Sequence, residues 1–217
     1  LVAVAQLMRR DPQGIGLLPD GDSDNHRGAT IVSGARDVSL RAAARTRQFW
    51  TICLAEFSIF FCLLTIIVHI VPYASDLGLS SAAAAGVLST IGGVSMLGRI
   101  VMGAANDRIG GKRSLIICFI VLLCGLIWLQ VAREAWMLFI FAAIYGLAHG
   151  GLFTVMSPTV AELFGTDSHG LLFGIVLFCG TLGGAVGPLM AGHAFDLTGN
   201  YRMVFLVLTA LVLIGFI

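Results

Sequence analysis

The fold is decided by residues 98–113, which read GRIVMGAANDRIGGKR. The first part of this stretch is apolar apart from Arg99, and the last part carries charged residues around glycines. The apolar part continues a run that begins near Ser81, and another apolar run begins at Ser114. A short charged gap between two long apolar runs is typical of a tight loop between two membrane-spanning helices.

The composition excludes a soluble domain. Hydrophobic residues make up 58% of the 217 residues, charged residues make up 12%, and the mean hydropathy is +0.95. A soluble domain carries about 25% charged residues to cover its surface. The net charge of +1 also excludes a nucleic-acid partner, because it provides no basic field.

The apolar runs predict five full spans and the start of a sixth. Backbone groups in lipid must be paired within their own segment, so we expect α-helices. Met203–Ile217 is shorter than the roughly 20 residues that a spanning helix needs, and 1–8 reads as the end of an earlier span. We therefore expect a fragment whose last helix is truncated. The predicted full spans are 49–71, which ends at Pro72, then 81–105, 114–131, 135–163 and 171–194.

The distribution of Lys and Arg predicts which side faces the cytoplasm. Ten of the 13 lie in the ranges 9–47 and 106–113. Because loops rich in Lys and Arg stay on the cytoplasmic side, we place both segments there. The first of these ranges is polar and contains two prolines, which indicates a long linker with one short helix over 38–47.

The 98–113 stretch resembles the G-x-x-x-D-R-x-G-x-K/R loop motif of the major facilitator superfamily, in the copy between helices eight and nine. Residues 159–165 resemble the end of helix ten, and 182–192 resemble the glycine–proline motif of helix eleven. The resemblance implies an all-α membrane protein, of which this chain is the six-helix C-terminal half of a twelve-helix bundle. The implied segments are the end of helix six at 1–8, the central cytoplasmic loop at 9–47, and helices seven to twelve at 48–217.

Two finer stretches, 9–21 and 69–78, resemble bacterial monocarboxylate-transporter-like and oxalate/formate-antiporter-like members. That branch implies a secondary active transporter of a small organic anion, a monocarboxylate, working by alternating access with proton coupling or anion exchange. It also implies a multi-pass protein of the bacterial inner membrane. Its partners would be the anion, a proton, the lipid bilayer and the N-terminal half of the same protein, with substrate bound between the halves.

Other functions stay open from the residues. The glycine–proline motif at 182–192 also fits a drug or metabolite exporter, but Arg99 would then have no role in substrate binding. A non-transporting membrane receptor or assembly protein would tolerate the loss of Arg99 and His149. The sequence has no catalytic motif that would indicate a membrane enzyme: it contains no HExxH, no paired intramembrane aspartates and no G-x-S-x-G. We therefore expect no enzyme, no cofactor and no metal site.

Arg99 is the first candidate for substrate binding. A charge within a span needs a partner, a cavity or a route to the surface, and a guanidinium fork suits a carboxylate. By resemblance, the matching arginine of monocarboxylate transporters binds substrate and couples protons, with an aspartate one turn earlier. Ser95 occupies that position here and joins the candidate site. The alternative is an arginine that snorkels to the inner surface.

His149 is the second candidate, because it lies near the middle of its span. At about 100° per residue, Tyr145, Phe153 and Met156 share its face within roughly 40°. A histidine at the midplane can bind an anion or carry a proton, and Tyr145 is included in the substrate site. The alternative is a histidine hydrogen-bonded between helices.

The first full span carries a polar stripe, which we predict lines a water-filled path. The members fall within roughly 40° on the helical wheel. The alternative is that the hydroxyls bond back to their own helix. The stripe consists of Thr51, Ser58, Cys62, Thr65 and His69, of which Ser58, Thr65 and His69 enter the substrate site.

Glu56 is the carboxylate inside a span, and it falls about 140° from this stripe. Because burial disfavours a charged carboxylate, Glu56 is a proton-carrier candidate together with His149. The alternative is an ion pair with a basic residue of the other half.

By resemblance, charged residues at the cytoplasmic helix ends form an ionic latch that steadies the outward-open state. Asp107 is also expected to meet a helix N-terminus. The alternative is that these charges only set the topology. The latch residues are Asp107, Arg108, Lys112, Arg113 and Glu162.

The absence of lysine from the spans predicts the charge of the substrate. Oxalate/formate-type antiporters carry a lysine in helix eleven, whereas residues 178–180 read Phe-Cys-Gly here. A dianion would therefore find one positive charge fewer in this protein than in those antiporters. We therefore expect a monoanion.

Overall fold

Seven helices follow one another in residues 39–216, which are the residues that the computed structural model describes. The predicted segment 1–8 and most of 9–47 lie outside them. The prediction of an all-α chain with five full spans and a sixth helix is confirmed. The helices are α1 (Leu40–Ala43), α2 (Arg47–Asp76), α3 (Ser81–Ile109), α4 (Gly111–Val131), α5 (Ala135–Phe164), α6 (His169–Thr198) and α7 (Arg202–Phe216).

Helices α2 to α6 are long and apolar enough to cross a membrane. Their most apolar windows have mean hydropathies between 1.5 and 2.6. Helix α7 is apolar but has 15 residues, fewer than the roughly 20 that span a bilayer. The connections are short, so successive helices run antiparallel. Gly110 alone joins α3 to α4, and its φ of 83° suits a residue without a Cβ.

Two predicted boundaries are wrong. Helix α2 does not end at Pro72 but continues to Asp76. A proline removes one backbone donor, which a membrane helix tolerates when its neighbours hold it in place, and Tyr73 provides such a contact by donating to the Ala132 carbonyl oxygen at 2.9 Å. The short helix expected over 38–47 is split, because α1 ends and the Thr46 hydroxyl caps the start of α2.

Helices α3 and α5 pack in close contact through glycines spaced four residues apart. A Cβ on Gly146 would lie 2.7 Å from the carbonyl oxygen of Ile91. A Cβ on Gly150 would collide with the carbonyl oxygen of Ser95, four residues further along α3. Small residues with this spacing let two helix backbones approach closely.

Helices α2 and α6 also pack closely through glycines spaced four residues apart. A Cβ on Gly183 would collide with the carbonyl oxygen of Phe57. A Cβ on Gly187 would lie 2.6 Å from the carbonyl oxygen of Phe61, again four residues further along the partner helix. These two interfaces leave α3 and α6 as the least buried spans, with 28% and 33% of their apolar windows buried against 61% in α2. The open face of α3 carries Arg99.

Candidate functional site

Arg99 lies on the open face of α3 and is exposed. Its guanidinium carbon is 5.8 Å from the centre of the Phe153 ring on α5. Phe153 is 11 residues before Phe164, the end of α5, which places the guanidinium roughly 16 Å along the helix axis from that end. The guanidinium thus lies near the middle of α5 and not at its end. No carboxylate among residues 39–216 forms an ion pair with it.

His149 lies beside this guanidinium, one turn before Phe153 on α5. Its ring centre is 5.1 Å from that of Phe153, and it is close enough to Arg99 for their charges to interact. Its Nδ1 is buried and has no hydrogen-bond partner within the described part of the chain. Phe60 of α2 contacts Phe153 at 5.4 Å between ring centres. We call Arg99, His149, Phe153 and Phe60 the central cluster.

Tyr145 lies against this cluster, with its ring centre 6.1 Å from that of His149, and Ser95 lies one turn before Arg99 on α3. The Ser95 hydroxyl donates to the Gly92 carbonyl oxygen at 2.7 Å, and its backbone packs against Gly150. Tyr145 is fully buried, and its hydroxyl donates to the Leu63 carbonyl oxygen at 3.0 Å. Both side chains are occupied in contacts between or within helices. Their predicted contact with substrate stays a prediction.

The polar stripe of α2 is buried at three of its five positions, and Thr51 is its exposed member. Ser58 and Thr65 are fully buried, and their hydroxyls donate to carbonyl oxygens one turn earlier, at 2.8 and 2.6 Å. The Cys62 thiol lies 3.5 Å from the Leu208 carbonyl oxygen of α7. Helix α7 covers Ser58 and Cys62, whereas α6 covers Thr65 and contacts His69. Of the two alternatives, bonding back to the helix is the one observed.

His69 is also occupied. Its Nε2 lies 3.1 Å from the Pro188 carbonyl oxygen, which only accepts, so Nε2 carries the proton. Its Nδ1 then accepts from the Tyr201 hydroxyl at 3.2 Å. His69 therefore joins α2 to α6 and to Tyr201 just before α7, and its predicted contact with substrate stays a prediction.

Glu56 lies within the bundle, with 3% of its surface exposed. It has no hydrogen bond or ion pair to any residue of 39–216. Gly180 of α6 faces it: a Cβ there would lie 2.9 Å from the Glu56 Cγ and 3.1 Å from the Phe60 Cδ2. Because Phe60 contacts Phe153, a continuous path of contacts joins Glu56 to the central cluster.

At the end of the bundle where α3 joins α4, one carboxylate meets a helix N-terminus. Glu162 Oε2 accepts the Gly111 N–H at the start of α4, at 2.7 Å. Asp107 is exposed and makes no such bond in the described residues, so its expected contact with a helix N-terminus stays a prediction. The other latch candidates, Arg108, Lys112 and Arg113, are exposed and form no ion pair within residues 39–216.

Phe60 and Phe153 were missing from the predicted site. Phe153 shared the His149 face on the helical wheel, so periodicity contained the signal, but an aromatic residue in a span is usually packing. Phe60 carries no such signal, because only the tertiary structure brings α2 against α5.

These features define a multi-pass helical membrane protein that holds an unpaired cation within its spans. The family model of the Major Facilitator Superfamily matches residues 2–127 and 52–217, and the chain belongs to this superfamily. The resemblance indicated by the 98–113 motif is therefore confirmed.

Curated relatives carry the names of transporters. Rat Monocarboxylate transporter 13 is 31% identical over 150 residues, covering 68% of this chain and 35% of that protein. Rat Monocarboxylate transporter 12 is 32% identical over 144 residues, covering 64% and 30%. Human Monocarboxylate transporter 2 is 30% identical over 152 residues, covering 67% and 31%. The chain thus spans about a third of the length of these relatives.

Solved structures share the fold. A peptide transporter POT in complex with sulfate matches with a TM-score of 0.73 at 22% identity, over 90% of this chain and 40% of that one. A POT family transporter in complex with 5-aminolevulinic acid also matches with a TM-score of 0.73, at 18% identity, over 86% and 40%. At these identities the likeness shows the fold alone.

Proposed function

We propose that the full protein is a secondary active transporter that carries a small organic monocarboxylate by alternating access. The observation that carries the proposal is the unpaired Arg99 guanidinium, held within the span over Phe153 and beside His149. An intramembrane cation without a protein partner is costly, and an anionic ligand would offset that cost. The names of the relatives agree with this class of substrate.

The central cluster suits a short carboxylate. The guanidinium fork would bind both carboxylate oxygens, and the unpartnered Nδ1 of His149 offers one further hydrogen bond. Phe153 and Phe60 would contact the apolar part of the substrate. One guanidinium balances one negative charge, and the nearest part of α6 carries Cys179 and Gly180 instead of a cation, which favours a monoanion.

Ser95 stands one turn before Arg99, where the resemblance leads us to expect an aspartate. Proton coupling would therefore need a proton carrier at another position. In our proposal Glu56 is that carrier. Its neutral form fits a site without a hydrogen-bond partner, and its contacts through Gly180 and Phe60 reach the central cluster. His149 is the second proton-carrying candidate. Anion exchange, in which no proton moves, is the alternative.

The exposed charges at the cytoplasmic helix ends form the gate in this proposal. Asp107, Arg108, Lys112 and Arg113 would pair with the other half of the protein when the transporter faces outward, while Glu162 holds the start of α4. The excess of Lys and Arg on this side supports a cytoplasmic location for 9–47, and we propose the bacterial inner membrane.

The test uses the full-length protein in proteoliposomes that enclose a pH-sensitive dye. Lactate, pyruvate, formate and oxalate are added in turn. We expect one monocarboxylate to acidify the lumen, and Arg99→Gln to abolish the response. Arg41→Gln, which removes an exposed charge from α1, is the matched control and should transport normally.

The outcomes separate the alternatives. Exchange of labelled monocarboxylate without a pH change would establish antiport. A full response in Arg99→Gln would refute the site while leaving a transporter. An absence of both uptake and exchange for every anion would favour an exporter or a non-transporting membrane protein.

A further inference from the structure

A cavity lies between the outer ends of α2, α4, α6 and α7, far from the central cluster along the helices. Its volume is about 320 Å³, enough for a small organic molecule. Much of its wall is aromatic, and these rings also contact one another, with centre-to-centre distances of 4.4 to 5.8 Å. The aromatic residues are Tyr73, Phe195, Tyr201 and Phe205.

Two arginines, Arg133 and Arg202, line the same cavity. They are the two Lys or Arg residues that lie on the outer side within 48–216. Outer loops of membrane proteins are poor in these residues, so topology gives no reason for a cation there. Arg133 lies in the connection between α4 and α5, Arg202 is the first residue of α7, and both reach one cavity although they are 69 positions apart. That convergence indicates an anionic ligand.

Arg133 is held in place. Its Nη1 donates to the Tyr73 hydroxyl at 2.9 Å and to the Ala132 carbonyl oxygen at 2.8 Å. The remaining guanidinium donors have no partner within residues 39–216. Asp76 also lines the cavity, but it forms no ion pair with Arg133 or with Arg202 in the described chain. The cavity lining itself holds two guanidinium groups and one carboxylate, and a second carboxylate, that of Asp196, is close enough to Tyr201 to act on its phenol.

Tyr201 adds a neutral polar group to the wall. Burial, followed by the charges of Asp76 and Asp196, raises the pKa of its phenol, so the hydroxyl stays protonated. That hydroxyl donates to His69 Nδ1 at 3.2 Å. The phenol therefore adds no negative charge that would repel an anion.

We propose that this outer cavity binds a small organic monoanion with an apolar or aromatic body. Arg133 and Arg202 bind its carboxylate or phosphate group, and the aromatic wall contacts the rest. A free anion and the headgroup of an anionic lipid share this chemistry. The site is independent of the proposed transport function, because none of its residues belongs to the central cluster.

The test measures binding of 4-fluorobenzoate by fluorine NMR to full-length protein in phosphatidylcholine nanodiscs. All variants carry Arg99→Gln, so that failure of the central site does not affect the result. We expect this background to bind the probe, and Arg202→Gln and Arg133→Gln to weaken binding roughly tenfold each. Arg41→Gln, an exposed cytoplasmic arginine, should leave the dissociation constant unchanged.

Arg202→Gln keeps the test decisive, since the Arg202 side chain is exposed and makes no hydrogen bond that Gln would break. Absence of binding in the Arg99→Gln background would overturn the proposal, as would binding that neither outer substitution weakens. Replacing part of the phosphatidylcholine with phosphatidylglycerol identifies the source. Arg202-dependent competition assigns the site to a lipid headgroup, and retained binding assigns it to a free anion.

Discussion

At the scale of single residues, the difference between Arg99 and Arg133 shows how surroundings determine the role of a cation. Arg133 donates hydrogen bonds from Nη1 to the Tyr73 hydroxyl and to a backbone carbonyl oxygen, so its position is fixed. Arg99 contacts the face of Phe153 and no acceptor in the described chain. A guanidinium with all its donors free can bind and release a carboxylate, which a transport site requires.

Glu56→Gln tests the proton carrier. Gln cannot release a proton, but it has nearly the same shape and fits against Gly180. We expect exchange of labelled monocarboxylate across equal pH to continue, whereas uptake driven by a pH gradient falls at least roughly tenfold. The measurement compares the two rates in proteoliposomes.

Glu134→Gln is the control for this experiment, because Glu134 is exposed and bonds only to the Trp136 indole. It should leave both rates unchanged. If Glu56→Gln retained uphill uptake, Glu56 would be a structural residue and His149 would become the carrier to test.

How much of the site could be predicted depended on whether one helix contained the information. Arg99 and His149 were identifiable, because a charged residue or a histidine inside an apolar run is unusual wherever the helix lies. The contacts that Ser58, Thr65 and His69 make were not, since the helical wheel gives a face but not the helix that covers it. Phe60 needed the contact between α2 and α5.

At the scale of helices, the two glycine interfaces explain why this bundle holds together without a hydrophobic driving force between its spans. Gly146 and Gly150 meet carbonyl groups of α3, while Gly183 and Gly187 meet those of α2. Close approach replaces burial as the source of attraction in lipid. Hydropathy predicted the spans but not these contacts, and it missed the helix ends because capping residues and Pro72 are not apolar.

Gly183→Ala and Gly174→Ala, both on α6, should change stability in opposite directions. A Cβ at position 183 collides with the Phe57 carbonyl, so the helices must separate, at a cost of about 1–3 kcal/mol. A Cβ at position 174 meets nothing within 4 Å, and alanine favours the helix by up to about 1 kcal/mol. Thermal unfolding of both variants in one detergent measures the difference. Equal shifts would show that close packing at Gly183 is unimportant.

At the scale of the whole molecule, the open faces of α3 and α6 are explained if another part of the protein packs against them. The loop residues Asp107, Arg108, Lys112 and Arg113 also find no partner within 39–216. Unpaired charges at one end and an unpaired guanidinium midway fit a surface that is covered and uncovered in turn, as alternating access requires. No sequence pattern predicts such alternating exposure, because it would arise from the movement of one part of the protein relative to another.

Single cysteines at Gly92 and Asn106 test that motion. They lie seven residues before and after Arg99 on α3, so both fall within about 20° of its face and roughly 10 Å from it. A Cβ at Gly92 meets open space, and the Asn106 side-chain oxygen is buried without a partner in the described residues. An outward-facing protein exposes position 92 to an impermeant maleimide outside, and an inward-facing one exposes position 106 to the same reagent inside.

Substrate shifts the balance between the two states, so the labelling rates at the two positions should change in opposite directions, by about threefold to tenfold. The protein with its native cysteines alone is the control: Cys53, Cys62 and Cys118 are buried, and Cys124 and Cys179 lie within spans. Rates that rose together would indicate general loosening rather than alternating access. Rates that did not respond to a substrate that is nevertheless transported would show that the path does not follow the Arg99 face of α3, and the open face of α6 would then be the one to probe.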